Sequence, residues 1–213
     1  MGLKERRKRE KELRRKQILD AARALLLKRG ISSTSMNRIA RDAELSVGTL
    51  YIYFKNKEDL YAELQEEGLN LLYDKVKEAK ERGNDPQDTL RDIAIAYLDF
   101  SEENRNYFDI INYFLSAPEI IFPPHLKSRI DLQGKRILSL IEEVLGDIDP
   151  VRGISEGLVK RYAIILWSSL HGMLQLRKLK NTILKDQDFR ELYLSSAMLT
   201  ISSITAKKED DVL

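Results

Sequence analysis

The side chains with the clearest binding chemistry lie in residues 33–54 of the 213-residue chain. On a helix through this stretch, Gly48, Thr49, Ile52 and Tyr53 share one side. That side is small and hydroxyl-bearing, whereas the outer side of a purely structural helix is more often charged. Hydroxyl groups can donate and accept hydrogen bonds, which suits contact with base edges and phosphates of DNA.

Enzymatic chemistry has little support in the sequence. There is no cysteine, and the two histidines are His125 and His171. No glycine-rich phosphate loop or paired-histidine metal motif is present, so we expect no metal and no cofactor. We expect His171 to be a hydrogen-bonded packing residue and His125 to be solvated. The absence of cysteine excludes disulfides and thiolate chemistry.

A first short helix is predicted just before the hydroxyl-bearing side. Thr34 or Ser35 can cap it, because a hydroxyl there accepts a hydrogen bond from a free backbone N–H group. Ile39, Ala40 and Ala43 recur at spacings of three and four and so face one way. Small Ala40 would let a second helix cross closely.

The pattern then restarts as a second short helix. Ser46 is its capping residue, and Leu50 and Phe54 give it an inward edge at a spacing of four. Two short helices joined by a tight turn predict a helix-turn-helix, whose second helix enters the DNA major groove.

Two segments, Thr34-Ser-Met-Asn-Arg-Ile-Ala40 and Ser46-Val-Gly-Thr-Leu-Tyr-Ile-Tyr-Phe-Lys-Asn-Lys-Glu-Asp-Leu60, resemble the DNA-binding domain of TetR-family repressors. The resemblance covers roughly residues 15–62. One departure is Glu44, in the turn where the family usually has glycine. If this residue is left-handed, its side chain costs about 1 kcal/mol.

The resemblance implies which residues contact DNA. Thr49 and Asn37 would meet base edges, and Tyr51, Tyr53 and Lys57 would mainly hold phosphates. Hydroxyl groups or helix N-termini at three further positions would lie near the DNA backbone: Thr34, Ser35 and Ser46. The full predicted DNA-binding set is Thr34, Ser35, Asn37, Ser46, Val47, Gly48, Thr49, Tyr51, Tyr53 and Lys57.

Charge is distributed unevenly along the chain, although the formal net charge is only +2. Residues 1–57 hold 16 basic and 6 acidic side chains, and residues 58–213 hold 20 and 28. A basic head on an acidic body suits a polyanion-binding module joined to a regulatory domain. Residues 4–16 alone carry +6, from nine basic and three acidic side chains. They are either a solvated tail or a basic arm that adds DNA affinity, and we expect residues 1–12 to be disordered.

The rest of the chain predicts an all-α fold, with no alternating strand pattern. A long helix is expected from residue 57 to about residue 82, with further helices at 86–103, 105–116, 124–146, 154–180 and 187–206. Pro118, Pro123, Pro124 and the segment 146–150 separate them. The predicted organisation is a helix-turn-helix domain with a basic arm (1–56), a helical effector-binding and dimerisation domain (57–206) and a frayed tail (207–213).

Helices 154–180 and 187–206 are more apolar than one core-facing side requires, so they are expected either to form a homodimer interface or simply to fill the core. The interface residues predicted are Leu166, Leu170, Met173 and Leu199. Aromatic residues after residue 96 are the best candidates for a small-molecule cavity, although such groups more often form plain core. The predicted effector-binding set is Tyr97, Phe100, Asn112, Tyr113, Phe114, Phe122 and Arg129.

These observations favour a cytoplasmic, homodimeric regulator that binds a double-stranded DNA operator and leaves it when a small-molecule effector binds. No apolar run approaches a membrane span, and no signal core follows the basic N-terminus. Two alternatives remain open: an architectural DNA-binding protein without a ligand, and an enzyme with an appended DNA-binding head.

Overall fold

A computed structural model describes residues 2–30, 33–116, 122–148 and 156–205. The described residues form helices joined by short turns, without strands, which confirms the all-α prediction. The helices are α1 (Leu3–Arg29), α2 (Met36–Asp42), α3 (Val47–Tyr53), α4 (Lys57–Arg82), α5 (Pro86–Glu103), α6 (Arg105–Leu115), α7 (Pro124–Asp147), α8 (Glu156–Leu176) and α9 (Phe189–Thr205), with a short 3₁₀ helix at Arg177–Leu179. Within these ranges, no helix is long and apolar enough to cross a bilayer.

The chain forms two compact units. The N-terminal unit comprises residues 1–70 and 105–132, and the C-terminal unit comprises residues 71–104 and 133–213. The boundaries between the units fall inside α4, between α5 and α6, and inside α7. The functional boundary placed at residue 56 stays a prediction, and the tail 207–213, like Pro118 and Pro150, lies outside the described residues.

The N-terminal arm is helical from Leu3, so the disorder expected for residues 1–12 is wrong for the part that the structure describes. α1 begins at Leu3, and the backbone N–H of Gly2 donates to the Glu5 carboxylate at 3.0 Å. Residues 4–16 are mostly Lys, Arg and Glu, which have high helix propensity, and they contain neither glycine nor proline. Ion pairs one turn apart, Arg6–Glu10 at 3.2 Å and Lys8–Glu12 at 3.9 Å, add support. The low hydrophobicity of residues 1–12 predicted disorder. In the structure, however, these residues extend a helix whose later turns, from Ile18 onwards, are buried.

The core of the N-terminal unit joins the first three helices to the helices that follow. Side chains from α1, α2 and α3 pack with the first turns of α4 and with α6 and α7. The fully buried members include Ile18, Ala22, Ile39, Ala40, Leu50, Leu60, Tyr61, Leu64 and Ile110. The Phe114 ring lies 5.9 Å from the Tyr61 ring and 4.7 Å from the Phe122 ring, centroid to centroid. The helix-turn-helix therefore shares one core with residues of α6 and α7, up to 90 positions away in the chain (Met36 to Leu126).

α4 and α6 approach closely at Gly68. A Cβ atom at this position would lie 3.1 Å from Cβ of Tyr107 and 3.3 Å from Cδ1 of Ile111. The hydroxyl of Tyr107 donates to Glu67 and accepts from Arg23 of α1, each at 2.9 Å. The Arg23 guanidinium also lies 4.6 Å from the centroid of the Tyr107 ring. This contact, the Arg23–Tyr107–Glu67 junction, ties α1 to α4 and α6.

The C-terminal unit is built on α5, α8 and α9. The Tyr97 ring of α5 stacks on Trp167 of α8, with 4.4 Å between centroids. Its hydroxyl bonds to Nδ1 of His171 at 2.8 Å, which confirms the packing role expected for that histidine. Buried Tyr193 of α9 donates to the carbonyl oxygen of Ala94 at 2.9 Å.

Candidate nucleic-acid interface

The entry to α2 uses both hydroxyl residues, but in different ways. Ser35 is the N-cap, and its Oγ accepts from the backbone N–H of Arg38 at 3.4 Å. Thr34 is buried, and its Oγ1 donates to the carbonyl oxygen of Gly30 at 2.8 Å. The hydroxyl of Thr34 therefore holds the end of α1 to the start of α2. Asn37, in the first turn of α2, is exposed.

The turn between α2 and α3 has a left-handed residue at its centre. Glu44 has a φ of 55°, and its N–H donates to the carbonyl oxygen of Arg41 at 3.0 Å. Gln17 of α1 donates to the carbonyl oxygen of Ala43 at 2.7 Å. The chain thus contains a glutamate where the backbone favours glycine, so the turn carries strain.

α3 presents one buried edge and one exposed side. Ser46 caps it, since its Oγ accepts from the N–H of Thr49 at 3.0 Å and lies 2.8 Å from the Thr49 hydroxyl oxygen. Leu50 is fully buried. Tyr51 and Ile52 are adjacent in the chain and are 52% and 76% exposed.

The remaining predicted residues of α3 are accessible as well. Gly48 is exposed, and a Cβ atom there would meet no atom closer than the Ser46 Oγ at 3.8 Å. Val47, Tyr53 and Lys57 are half-buried. The structure therefore places six of the predicted residues on α3 and its cap, and Lys57 at the first position of α4: Ser46, Val47, Gly48, Thr49, Tyr51 and Tyr53.

The far end of α3 is fixed by α1. Arg15 lies 4.6 Å from the centroid of the Phe54 ring and forms an ion pair with Glu63 of α4. Its Nη1 also donates to the carbonyl oxygen of Tyr53 at 3.5 Å. Asn56 Oδ1 accepts from the N–H of Asp59 at 2.7 Å and so caps the start of α4. These contacts hold α3 and the first turn of α4 in a fixed relation.

A groove beside α3 escaped the sequence analysis. It has a volume of about 810 Å³ and is lined by Arg7, Lys11 and Arg14 of α1 and by Ile52 and Tyr53 of α3, among others. We call it the arm groove. The sequence does contain a sign of this groove, because Arg7, Lys11 and Arg14 recur at helical spacings of four and three. That spacing has no meaning if residues 4–16 are taken to be disordered.

The helix-turn-helix is the part of the chain that comparison with known proteins identifies. Residues 18–64 match the model of the bacterial regulatory proteins of the tetR family. Over 106 residues the chain is 39% identical to the HTH-type transcriptional regulator AcrR of Shigella flexneri, which covers 46% of this chain and 47% of that protein. The helix-turn-helix domain of this chain belongs to the TetR family.

Longer matches extend the similarity beyond the TetR-like DNA-binding domain. The chain is 25% identical over 169 residues to the HTH-type transcriptional regulator PksA of Bacillus subtilis, covering 76% of this chain and 80% of that protein. The transcriptional regulator FadR of Bacillus subtilis, solved in complex with stearoyl-CoA, has a TM-score of 0.71 at 21% identity, over 87% of this chain and 97% of that chain. The structural likeness shows the fold. The matched helix-turn-helix domain and the similar regulators together indicate a DNA-binding transcriptional regulator.

The predicted effector residues divide between the two units of the fold. In the C-terminal unit, Tyr97 and Phe100 are buried, and burial raises the pKa of Tyr97 and lowers that of His171. In the N-terminal unit, Tyr113 and Phe114 pack edge to face with 5.5 Å between ring centroids. The Phe122 ring packs against Phe114, with 4.7 Å between centroids. The other two members differ: Arg129 pairs with Glu66 at 2.7 Å, and Asn112 is buried with no described residue donating to its Oδ1.

The predicted dimer residues also differ in exposure. Leu166 and Leu170 are 0% and 1% exposed, packed inside the C-terminal unit. Met173 is half-buried, and Leu199 is 74% exposed. Ile165 and Leu176, on the other side of α8 from Leu166 and Leu170, are 46% and 41% exposed.

Among the described residues, no group of three His, Asp or Glu side chains could hold a metal ion.

Proposed function

We propose that this protein is a ligand-responsive repressor of the TetR family. In this proposal it binds a palindromic operator as a homodimer and is released by a small, largely apolar effector. The observation that carries the proposal is the helix-turn-helix whose second helix keeps its outer side free. Ser35 and Ser46 cap the two helices, Leu50 anchors the second, and Tyr51 and Ile52 are left exposed beside Gly48.

The proposed DNA contacts follow from what each side chain can donate or accept. Thr49 and Asn37 suit base edges, since hydroxyl and amide groups reach donors and acceptors in the major groove. Tyr51, Tyr53 and Lys57 suit phosphates, which are contacted without regard to sequence. The buried hydroxyl of Thr34 acts only indirectly, because it is committed to the carbonyl oxygen of Gly30.

The homodimer would form through an apolar side of α8 and α9, which we call the α8/α9 face. Ile165, Gly172 and Leu176 recur along α8 at spacings of seven and four, and all are exposed. Leu199 on α9 is 74% exposed. Ser169 and Thr200 bridge the two helices with 3.1 Å between their hydroxyl oxygens, which holds α8 against α9. A palindromic operator requires such a two-fold partner.

An acyl chain is the first effector class to test. The chain is 24% identical over 147 residues to the fatty acid metabolism regulator protein of Bacillus subtilis, covering 69% of this chain and 74% of that protein. The predicted effector residues are mostly aromatic, which suits an apolar ligand with few polar groups. The buried Oδ1 of Asn112 is an acceptor that a donor group of the effector could satisfy.

The effector would act through helices that already contact the DNA-binding head. Phe114 of α6 packs on Tyr61, which belongs to the same core as the helix-turn-helix, and the Arg23–Tyr107–Glu67 junction ties α6 to α1. A ligand that displaces α6 or α4 would move the head. It can weaken DNA binding only as far as it prefers the displaced form.

The test begins with selection of bound fragments from a random DNA pool by the full chain. A repressor of this kind returns a palindrome with half-sites about one helical turn apart or a multiple of it. Operator affinity is then measured with acyl-CoA thioesters of increasing chain length, and effector affinity with and without operator. Thermodynamic linkage requires the effector to lower operator affinity by the same factor as the operator lowers effector affinity.

Two outcomes would contradict the proposal. Recovery of no preferred sequence would favour the architectural alternative. A preferred palindrome whose affinity no acyl-CoA changes would leave the DNA-binding function standing and exclude this effector class.

A further inference from the structure

The buried stripe of α1 changes its chemistry where the helix extends beyond the core. Ile18, Ala22 and Leu25 are buried at spacings of four and three. The same periodicity continues towards the N-terminus as Arg14, Lys11 and Arg7, all of which are exposed. The side of α1 that is apolar against protein is therefore basic where it faces solvent.

These three basic residues line the arm groove with Ile52 and Tyr53 of α3. Among the described residues, no carboxylate lies within ion-pair distance of Arg7, Lys11 or Arg14. By contrast, Lys8 and Lys16 on the outer side of α1 pair with Glu12 and Asp20. The uncompensated positive charge thus points to the same side as the predicted DNA-contacting helix.

The acidic side chain in the groove does not cancel this charge. Glu10 also lines the arm groove, but it pairs with Arg6 at 3.2 Å. Arg14 additionally bonds to Gln17 at 3.2 Å, which orients its guanidinium without neutralising it. The lining therefore keeps a net positive charge next to the exposed end of α3.

We propose that the arm groove binds the phosphate backbone of duplex DNA flanking the operator core. This proposal rests on the proposed function, because it extends the same interface. Arg7 to Arg14 spans seven residues, or about 10 Å of helix, which matches the rise of about three phosphates along one strand. A rigid helix presents these charges without the ordering cost of a disordered arm.

The decisive comparison is between two triple variants of the full chain. Arg7→Gln/Lys11→Gln/Arg14→Gln removes three charges from the arm groove. Lys8→Gln/Arg9→Gln/Lys16→Gln removes three charges from the outer side of the same helix and is the matched control. Each is tested on the selected operator core and on the same core lengthened by about six base pairs at each end, twice the span of the stripe.

We expect lengthening to raise the affinity of the unaltered protein and of the outer-side variant about tenfold or more at low salt. The groove variant should show no such gain. Its salt slope on the long duplex should fall by about 5.4, because the dimer loses three phosphate contacts at each of its two arms. Circular dichroism of both variants reports whether α1 stays helical.

Three results would overturn the inference. One is an equal loss in both variants, which would mean that only net charge matters. Another is an unchanged length dependence in the groove variant. The third uses anionic phospholipid vesicles in place of DNA. If the groove variant no longer bound such vesicles but still bound DNA like the unaltered protein, the groove would be a site for lipid phosphates. Failure to bind any operator core would instead refute the proposed function, so the two failures are distinguishable.

Discussion

Gly48 lies on the outer side of α3 with room for a larger side chain in the free protein. A Cβ atom would meet only the Ser46 Oγ, at 3.8 Å. Gly48→Ala should therefore stabilise the fold by up to about 1 kcal/mol, because alanine has the higher helix propensity. If glycine is there so that DNA can approach the backbone, the same change lowers operator affinity.

Thermal unfolding and operator titration of Gly48→Ala measure both effects. Gly134→Ala, in α7, is the control, since nothing lies within 4 Å of its added Cβ and it is far from α3 in the sequence. A Gly48→Ala protein with unchanged operator affinity would remove Gly48 from the interface.

Glu44 offers a second prediction for a single residue. Its φ of 55° places a side chain in the left-handed region. Glu44→Gly should relieve about 1 kcal/mol of this strain, partly offset by the greater freedom of glycine in the unfolded chain. Glu44→Ala keeps the Cβ atom and should show no comparable gain. Chemical denaturation of the three proteins gives the comparison, and equal gains for Gly and Ala would attribute the effect to the lost charge instead.

The crossing of α4 and α6 depends on Gly68. Gly68→Ala would place a methyl group 3.1 Å from Cβ of Tyr107 and should push the two helices apart. Overpacking of this kind costs about 1–3 kcal/mol. Gly134→Ala, also within a helix but in open space, should instead be neutral or stabilising. Unfolding midpoints of the two variants that move in the same direction would contradict the close approach.

The Arg23–Tyr107–Glu67 junction predicts a pH-dependent effect. Burial raises the pKa of the Glu67 carboxyl, while the hydrogen bond from Tyr107 and the charge of Arg23 act to lower it. Burial, together with the neighbouring Glu67, raises the pKa of Tyr107 to about 12, so its hydroxyl remains a donor at neutral pH.

Tyr107→Phe should therefore cost about 1–2 kcal/mol at neutral pH, because the variant loses the hydrogen bond to the Glu67 carboxyl group. Without the hydrogen bond the folded-state pKa of Glu67 rises further, so the variant loses stability relative to the parent as pH increases from acid to neutral. The difference between variant and parent should shrink as the pH falls through the raised folded-state pKa of Glu67, and it should be smallest at about pH 4. Urea unfolding at both pH values tests this, and a constant difference would mean that Tyr107 contributes only packing.

Local signals predicted most helices well. The expected helices 86–103, 105–116 and 124–146 agree with α5, α6 and α7 to within one residue, because Asp85, Asn104 and the prolines near residue 123 act within one turn. The prediction of disorder for residues 1–12 was wrong because the helicity of this segment depends on its continuity with the buried residue Ile18. Composition alone does not show that continuity. Likewise, the burial of Thr34, Leu166 and Leu170 depends on contacts with other helices, so residue type alone could not separate them from exposed neighbours.

The whole molecule is expected to act as a dimer, and the α8/α9 face gives a direct test. Leu199→Asp should yield monomers and lower affinity for the full palindrome at least tenfold, because a single head loses its linked partner. Ile183→Asp is the control, since Ile183 is 78% exposed but lies outside both helices. A charge at Leu170 would disturb the core and is unsuitable. Light scattering and operator titration are measured together, and a monomeric Leu199→Asp protein that holds the palindrome tightly would exclude this arrangement.

The shared core of the N-terminal unit decides how this regulator can be recombined with others. Phe54 and Leu50 pack with Leu60 and Leu64 of α4, and Tyr61 meets Phe114 from a distant part of the chain. In a chimaera joined after residue 56, the α4 and α6 of the recipient protein would have to complete the core beneath the transferred helix-turn-helix. A functional graft instead needs residues 1–70 together with 105–132, or a recipient that supplies matching leucines and phenylalanines.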